Sequence, residues 1–309
     1  MQVEMEPRRG CPILWTACRN ADIDTVKRII PYADVNESFS IELSTPLHIC
    51  MGPFVWSQKR YDFDGNLLEG DPHRQVIDIA RILLDNGADP LALTSDAQTP
   101  LHWAMLYAPQ TGILSMILQA YPHLNVNSRD ERGFTALMYS PHGGSLSDRE
   151  VLFQHGADPS IRCNRGETVL FRPMPLIDIK HCIENGAMLN FQRLDGKTPI
   201  HAAIEWFRWT NKLNPIEMNT SIDWIKNLLS CCPDLEIKDV RGLKPEQENI
   251  GRLYRHEEIT ELFLQHHLQM QEKRVAFGML LHERLGKSSH ARELPEDIVQ
   301  QILGFNDLH

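Results

Sequence analysis

The phrase Thr-Pro-Leu-His stands verbatim at Thr45–His48 and again at Thr99–His102. Close variants follow at Thr135–Met138, Thr168–Phe171 and Thr198–His201, and worn openings stand at Cys11-Pro12 and Lys244-Pro245. The seven starts, at 11, 45, 99, 135, 168, 198 and 244, are separated by 34, 54, 36, 33, 30 and 46 residues. Four of the six spacings lie within three of about 33, a period at which one supersecondary unit stacks on the next because it cannot bury its apolar face alone. The two long spacings exceed that period by 21 and 13, which places insertions at about 51–75 and 205–221.

A second phrase keeps the same beat. Asn86-Gly87-Ala88-Asp89-Pro90, His155-Gly156-Ala157-Asp158-Pro159 and Asn185-Gly186-Ala187 each precede the next tetrapeptide. The physical roles are readable. Pro at the second place suits the first turn of a helix, where its missing N–H costs nothing, and the Thr before it can cap that turn. Leu47, Leu101, Leu137, Leu170 and Ile200 then fall on a face stacked against the neighbouring unit. Gly87, Gly156 and Gly186 stand where a helix end calls for a left-handed residue. Gly133, Gly166, Gly196 and Gly242 stand two residues before each start, inside a turn. A second helix of each unit shows apolar spacing of three and four, as in Val76, Ile79 and Leu83, or Ile222, Ile225, Leu228 and Leu229. Pro141-His142-Gly143-Gly144 and Arg172-Pro173-Met174-Pro175 interrupt the fourth and fifth units, whose helices are expected to be short. Repeat stability is roughly a sum of unit and neighbour terms, so the middle of the array is its expected weak point.

Two phrases sharing one period, with Arg255-His256-Glu257-Glu258-Ile259 opening the last outer helix, resemble the ankyrin-repeat family over roughly residues 11–270. The resemblance implies an all-α solenoid of about seven helix-turn-helix repeats with short hairpins. It also implies binding of a partner protein on a concave face made of projecting turns and inner helices. It is not a family of catalysts.

Composition agrees with such a reading and closes other routes. The chain has 309 residues and a net charge of −10, a poor match to nucleic-acid phosphates. No apolar run reaches the roughly 20 residues of a membrane span, and Met1–Arg9 holds no apolar signal core. A cytoplasmic or nuclear location is expected, with neither membrane nor nucleic acid as partner. Seven scattered cysteines without a Cys-x-x-Cys pair indicate neither a disulfide framework nor a zinc cluster. They are expected to be small buried residues. Of fourteen histidines, His48, His102 and His201 belong to the tetrapeptide and are expected to hydrogen-bond between neighbouring turns. His256-Glu257-Glu258-Ile259-Thr260 lacks the second His of a zinc protease helix. Asp62 and Asp64 beside Gly65 read as a hairpin turn rather than a calcium loop. No phosphate loop, nucleophile elbow or Cys–His pair is present, and no cofactor is expected.

The candidate binding residues are therefore the projecting turns: Asp130, Glu131 and Arg132; Arg162, Asn164 and Arg165; Arg193, Asp195 and Lys197; Lys238, Asp239 and Arg241. Lys and Arg are more frequent along this row than the net charge implies, which would suit an acidic segment. The first insertion carries aromatics without helical period, among them Trp56, Tyr61 and Phe63, and the second holds Trp206, Phe207 and Trp209. Two readings stand: contact with a partner, as loop aromatics often make, or cover for the groove.

Beyond residue 270 the repeat pattern stops, and residues 271–309 form a separate helical tail in this reading. A largely apolar helix from Val275 to near Gly286 leads to Leu294-Pro295-Glu296-Asp297-Ile298-Val299-Gln300-Gln301-Ile302-Leu303. The last segment resembles the opening helix of an F-box, as in the truncated F-box of poxviral ankyrin proteins. A Leu-Gly then Leu-Pro order is also similar to a SOCS box, although the Cys-containing motif of that module is missing. The resemblance implies docking of a cullin adaptor through Leu294, Pro295, Ile298, Ile302 and Leu303, in which case the chain would recognise substrates for a ubiquitin ligase. The other reading is a cap over the apolar face of the last repeat, which any solenoid needs.

Overall fold

Helix starts follow the tetrapeptide. A computed structural model describes residues 12–39, 41–52, 72–108, 112–139, 146–210, 215–248 and 256–285. The chain divides into two compact units, Met1–Asn164 and Arg165–His309. In the first, α1 (Pro12–Asn20) pairs with α2 (Ile23–Ile29), α3 (Pro46–Met51) with α4 (Pro72–Asp85), and α5 (Pro100–Tyr107) with α6 (Ile113–Ala120). A single 3-10 turn, Ala136–Tyr139, then precedes α7 (Leu146–Gln154). In the second, a 3-10 turn at Val169–Phe171 packs on α8 (Leu176–Glu184). It is followed by the pair α9 (Pro199–Thr210) and α10 (Pro215–Ser230), then a 3-10 turn at Pro245–Gln247 and α11 (His256–Leu285).

Within each unit the elements form two rows. In the first, α1, α3, α5 and the 136–139 turn stack as an inner row, while α2, α4, α6 and α7 stack outside. In the second, the 169–171 turn, α9 and the 245–247 turn form the inner row, and α8, α10 and α11 the outer. The five tetrapeptide apolar positions, Leu47, Leu101, Leu137, Leu170 and Ile200, are all buried. Among the described residues the one β pairing is an isolated antiparallel bridge between Phe39 and Ser44. The fifth inner helix shrinks to a 3-10 turn ahead of Arg172-Pro173, as expected, and the described part of the fourth, Ala136–Tyr139, is a 3-10 turn as well. The division between the two units falls between those two repeats.

On either side of residues 211–214 the second insertion contributes helix: α9 has 12 residues and α10 has 16, against 8 for α5 and 9 for α8. The last outer helix, α11, runs unbroken through 30 residues, across residue 270. Of the first insertion, residues 53–71, with Trp56, Tyr61 and Phe63, lie outside the described residues. So do residues 286–309, with Leu294, Pro295, Ile298, Ile302 and Leu303.

Three sets of bonds tie neighbouring repeats within the two units. In the first, the tetrapeptide His is gripped at both ring nitrogens. Nδ1 of His48 accepts the Thr45 backbone N–H at 3.3 Å and lies 2.9 Å from the Thr45 hydroxyl, while Nε2 donates to the Gln98 carbonyl at 3.1 Å. His102 does the same between Thr99 and the Phe134 carbonyl, and His201 between Thr198 and the Leu243 carbonyl. In the second, projecting turns form a ladder. Ser95 N–H donates to Glu42, Glu131 to Asp96 and Asn164 to Arg132; in the second unit Leu194 donates to Arg165 and Val240 to Asp195. In the third, asparagines clamp the outer turns: Asn36 donates to the Gly87 carbonyl and accepts from Asp89 N–H, and Asn127 repeats this with Gly156 and Asp158.

Where the tetrapeptide has lost its His, the Thr is stranded. Met138 and Phe171 replace the imidazole, and the buried hydroxyls of Thr135 and Thr168 have no hydrogen-bond partner among the described residues. Removing an unsatisfied buried hydroxyl is neutral or stabilising, whereas removing a satisfied one strands its partner at a cost of about 1–3 kcal/mol. Thr168→Val should therefore leave the chemical-denaturation midpoint unchanged or raise it, and Thr198→Val should lower it.

The turn glycines give a second contrast. Gly196 and Gly242 have φ of +78° and +79°, the left-handed region. A Cβ on Gly196 would lie 2.9 Å from the Val240 backbone nitrogen and 3.2 Å from Asp239 backbone atoms, whereas one on Gly242 meets nothing within 4 Å. Gly242→Ala should cost about 1 kcal/mol, the strain of the conformation alone. Gly196→Ala adds a backbone clash across the ladder and should cost roughly 2–4 kcal/mol. Urea titrations of the two variants check the difference.

Candidate interaction surface

The inner face of the first unit is aromatic and hydrogen-bonded. Trp103 and Tyr107 on α5 lie edge-on with ring centroids 5.4 Å apart, and Tyr139 lies 5.6 Å from Phe134 and 5.8 Å from His102. The Gln98 side chain joins them: Trp103 Nε1 donates to its oxygen at 2.9 Å, and its amide donates to the Tyr139 hydroxyl at 2.9 Å. That hydroxyl donates to Asp130 Oδ2 at 2.5 Å. Burial, and then Asp130, push the Tyr139 phenol well above its usual range, so it stays a donor.

Asp130 is thus a correction to the predicted surface row. It is buried, and its Oδ1 accepts the backbone N–H groups of Arg132 at 2.9 Å and Phe134 at 2.7 Å. A carboxylate at the base of a turn satisfies orphan donors that no strand would reach. Asp239 does the same in the last turn of the row, accepting from the backbone N–H groups of Arg241 and Leu243. Its burial opposes the charge, but these N–H groups and the Arg241 side chain hold the carboxyl below its usual range.

In the second unit the basic residues of the row are already engaged. Arg193 reaches Glu167 at 3.0 Å, Asp195 at 2.8 Å and Glu205 at 2.7 Å. Lys197 is buried, at 3.1 Å from Glu205 and 3.4 Å from Glu248, which corrects its placement as a solvent-facing turn cation. Arg208 reaches Glu248 at 3.2 Å, and Arg241 bonds both Glu248 and Asp239. Burial opposes ionisation of Glu205, yet Lys197 and Arg193 hold it below the usual carboxylate range. The result is a network spanning repeats five to seven rather than a row of free cations. Arg132, Arg162, Arg165 and Lys238 are exposed, as the turn reading expects.

What the turns expose instead is apolar. Leu194 and Val240, at the tips of successive turns, and Trp209 on α9 are exposed, while Trp206, 5.7 Å from Trp209, is half-buried. Sequence reasoning named the two tryptophans but missed Glu205, Arg208, Glu248, Trp103 and Tyr139. The aromatics had a usable signal, their offset from the tetrapeptide: Trp103 and Tyr139 stand four residues after its Thr, and Tyr107 and Trp206 stand eight.

The comparisons agree with this geometry. Residues 73–171 match a family model of ankyrin repeats, three copies. The chain is 25% identical over 180 residues to mouse B-cell lymphoma 3 protein homolog and 26% over 189 residues to the human B-cell lymphoma 3 protein. Each match covers 52% of this chain and 40% of the relative. It is 33% identical over 82 residues to an ankyrin repeat-containing protein of Schizosaccharomyces pombe, covering 26% of this chain and 34% of the relative. The chain thus spans well under two thirds of the length of the relatives it matches. The crystal structure of the ankyrin repeat domain of Bcl-3 superposes with a TM-score of 0.54 at 19% identity, over 78% of this chain and 94% of that one. The repeats within residues 73–171 are ankyrin repeats. The architecture is the all-α ankyrin solenoid, and ankyrin repeats are modules that bind proteins.

The described residues contain no group of three His, Cys, Asp or Glu side chains placed to hold a metal, and no helix long and apolar enough to cross a membrane. Cys18, Cys50, Cys163, Cys182 and Cys231 are buried, and burial pushes the Cys231 thiol up to about 11.

Burial lowers the three ankyrin histidines, His48 to about 4 and His102 and His201 in the same direction. In the unfolded chain an imidazole takes its proton as pH falls through about 6.5, and the folded one refuses it, so the unfolded state binds more protons. Stability from these groups is complete above pH 6.5 and drains away as pH falls towards 4. For His48 alone the loss is on the order of 3 kcal/mol. Melting temperature should fall steeply over that window, and His48→Gln, less stable at neutral pH, should show a shallower fall.

Proposed function

We propose that this chain is a substrate-recognition scaffold for a cullin-type ubiquitin ligase: ankyrin repeats hold a target protein and the C-terminal tail holds the ligase. The first half rests on one observation. The ladder and the His bonds occupy the backbone and the buried polar groups, and leave Leu194, Val240 and Trp209 uncovered on turns and inner helix. Exposed apolar side chains gathered on a rigid frame mark an interaction site. No catalytic step is assigned to the chain.

The second half rests on sequence: Leu294-Pro295, Ile298, Ile302 and Leu303 keep the spacing of an F-box opening helix. A second reading draws on α11. Leu264 and Leu268, one turn apart, are exposed on the last outer helix, an apolar stripe that a capping segment would cover.

Replacing Leu294, Ile298 and Ile302 together with Ala separates the two readings. As a docking face, these residues should be dispensable for the melting temperature, and their loss should remove cullin and its adaptor from a pull-down while the repeat-bound target is kept. Failure of the unaltered chain to recover any cullin component from a eukaryotic lysate would end the ligase reading. A cap predicts the opposite pattern, a drop of roughly 2–5 kcal/mol for each buried site with no partner specifically lost.

A further inference from the structure

The inner face of repeats six and seven exposes two carboxylates and, close by, two guanidiniums, each held by sheltered partners of opposite charge. At the repeat-six turn the cations are the sheltered partners: the side chains of Arg193 and Lys197 are 15% and 8% exposed, whereas Asp195 and Glu205 are 41% and 46% exposed. One turn further along α9 the arrangement inverts. Arg208 and Arg241 are 39% and 48% exposed, and the carboxylate they share, Glu248, is 1% exposed. The second carboxylate on Arg241, Asp239, is fully sheltered. A sheltered counter-ion fixes its partner in place, and the exposed member sets the field a ligand meets. On α9 Trp206 follows Glu205 and Trp209 follows Arg208, with their ring centroids 5.7 Å apart, and the exposed turn tips Leu194 and Val240 stand next in sequence to Asp195 and Arg241.

We propose that this face binds an acidic segment of a partner protein, with its carboxylates over Arg208 and Arg241 and an apolar or aromatic side chain against Trp209. The inference deepens the target-binding half of the proposed function and rests on it. It also narrows the acidic-partner expectation from the whole row of turns to two arginines. Arginine suits the task because its planar fork keeps donors for a second carboxylate after bonding the first. Each guanidinium has five N–H groups. Arg208 directs one of them to Glu248, and Arg241 uses two of its nitrogens on Asp239 and Glu248. Tryptophan and arginine are the side chains most often found to dominate binding energy. With a chain charge of −10, an acidic segment is repelled by much of the surface and is drawn to this end of α9.

The test is selection of displayed random peptides of roughly twelve residues, the length an inner face of two repeats spans, on the full chain and on its Trp209→Ala and Arg208→Ala variants. Both positions are partly exposed, and melting curves confirm that the variants remain folded. Peptides enriched on the unaltered chain should carry Asp or Glu within a few residues of an aromatic or leucine. They should bind about tenfold or more weakly to each variant, and weaken further as salt rises from about 50 to about 300 mM. Enriched peptides without carboxylates, equal binding by the variants, or no enrichment at all would each overturn the proposal. Protein partners recovered equally by the Trp209→Ala chain would leave the scaffold reading standing while this site falls. Partners lost on disrupting the first unit alone would point away from repeats six and seven.

Discussion

The two-sided grip on the ankyrin imidazole is the bond on which the rest of the stack depends. Nδ1 takes the N–H and faces the hydroxyl of the Thr that starts its own helix, and Nε2–H reaches the carbonyl that ends the following turn. One uncharged ring thus fixes the helix start, the turn behind it and the spacing between repeats. Because the ring is buried, it must remain neutral, so a bond that specifies the period also ties the fold to pH. The projecting turns share its register and keep it where the ring is replaced by Met138 or Phe171. Each tip N–H finds the preceding tip's carbonyl because the helices beneath are held at a constant offset.

The same dependence explains how much of the fold was legible in the sequence. Thr45, Thr99 and Thr198 announce intact repeats, since Thr, Pro and His each act on the nearest turn and leave a fixed local spelling. Pro173 announces the short inner element of the fifth repeat by the same local route, through a lost N–H group and a clash with the turn before. Residues 205–221 were harder. Extra length can be added as loop or as helix, and a count of residues between motifs does not distinguish them. Leu294 to Leu303, by contrast, rest on sequence resemblance.

The binding face was legible only in part, because its charges are assembled from different repeats. Arg193 and Lys197 belong to one turn, Glu205 to the helix after it, and Glu248 to the next repeat. Read along the chain, the turns show cations in excess; read across the stack, their counter-ions arrive from positions 8, 12 and 51 residues later. Asp130 misled for a related reason. A polar residue in a turn is usually solvated, but a carboxylate at the turn's base faces inward to the N–H groups of residues two and four ahead. What survives at the surface is whatever the network leaves over: the exposed halves of Arg208 and Arg241, and the apolar tips.

The lengthening of α9 connects these points. A helix of the length of α5, begun at Pro199, would end at Trp206; the four residues Phe207 to Thr210 are the added turn. Phe207 is fully buried, and the Thr210 hydroxyl lies 2.7 Å from that of Ser221 on α10, so the turn is anchored to its partner helix rather than frayed. Between those anchors stand Arg208 and Trp209, which the standard repeat has no helix to carry. The added length therefore does two things at once. It brings a guanidinium to the buried Glu248, and it sets an indole beside it on a surface that the repeat's own geometry already holds rigid.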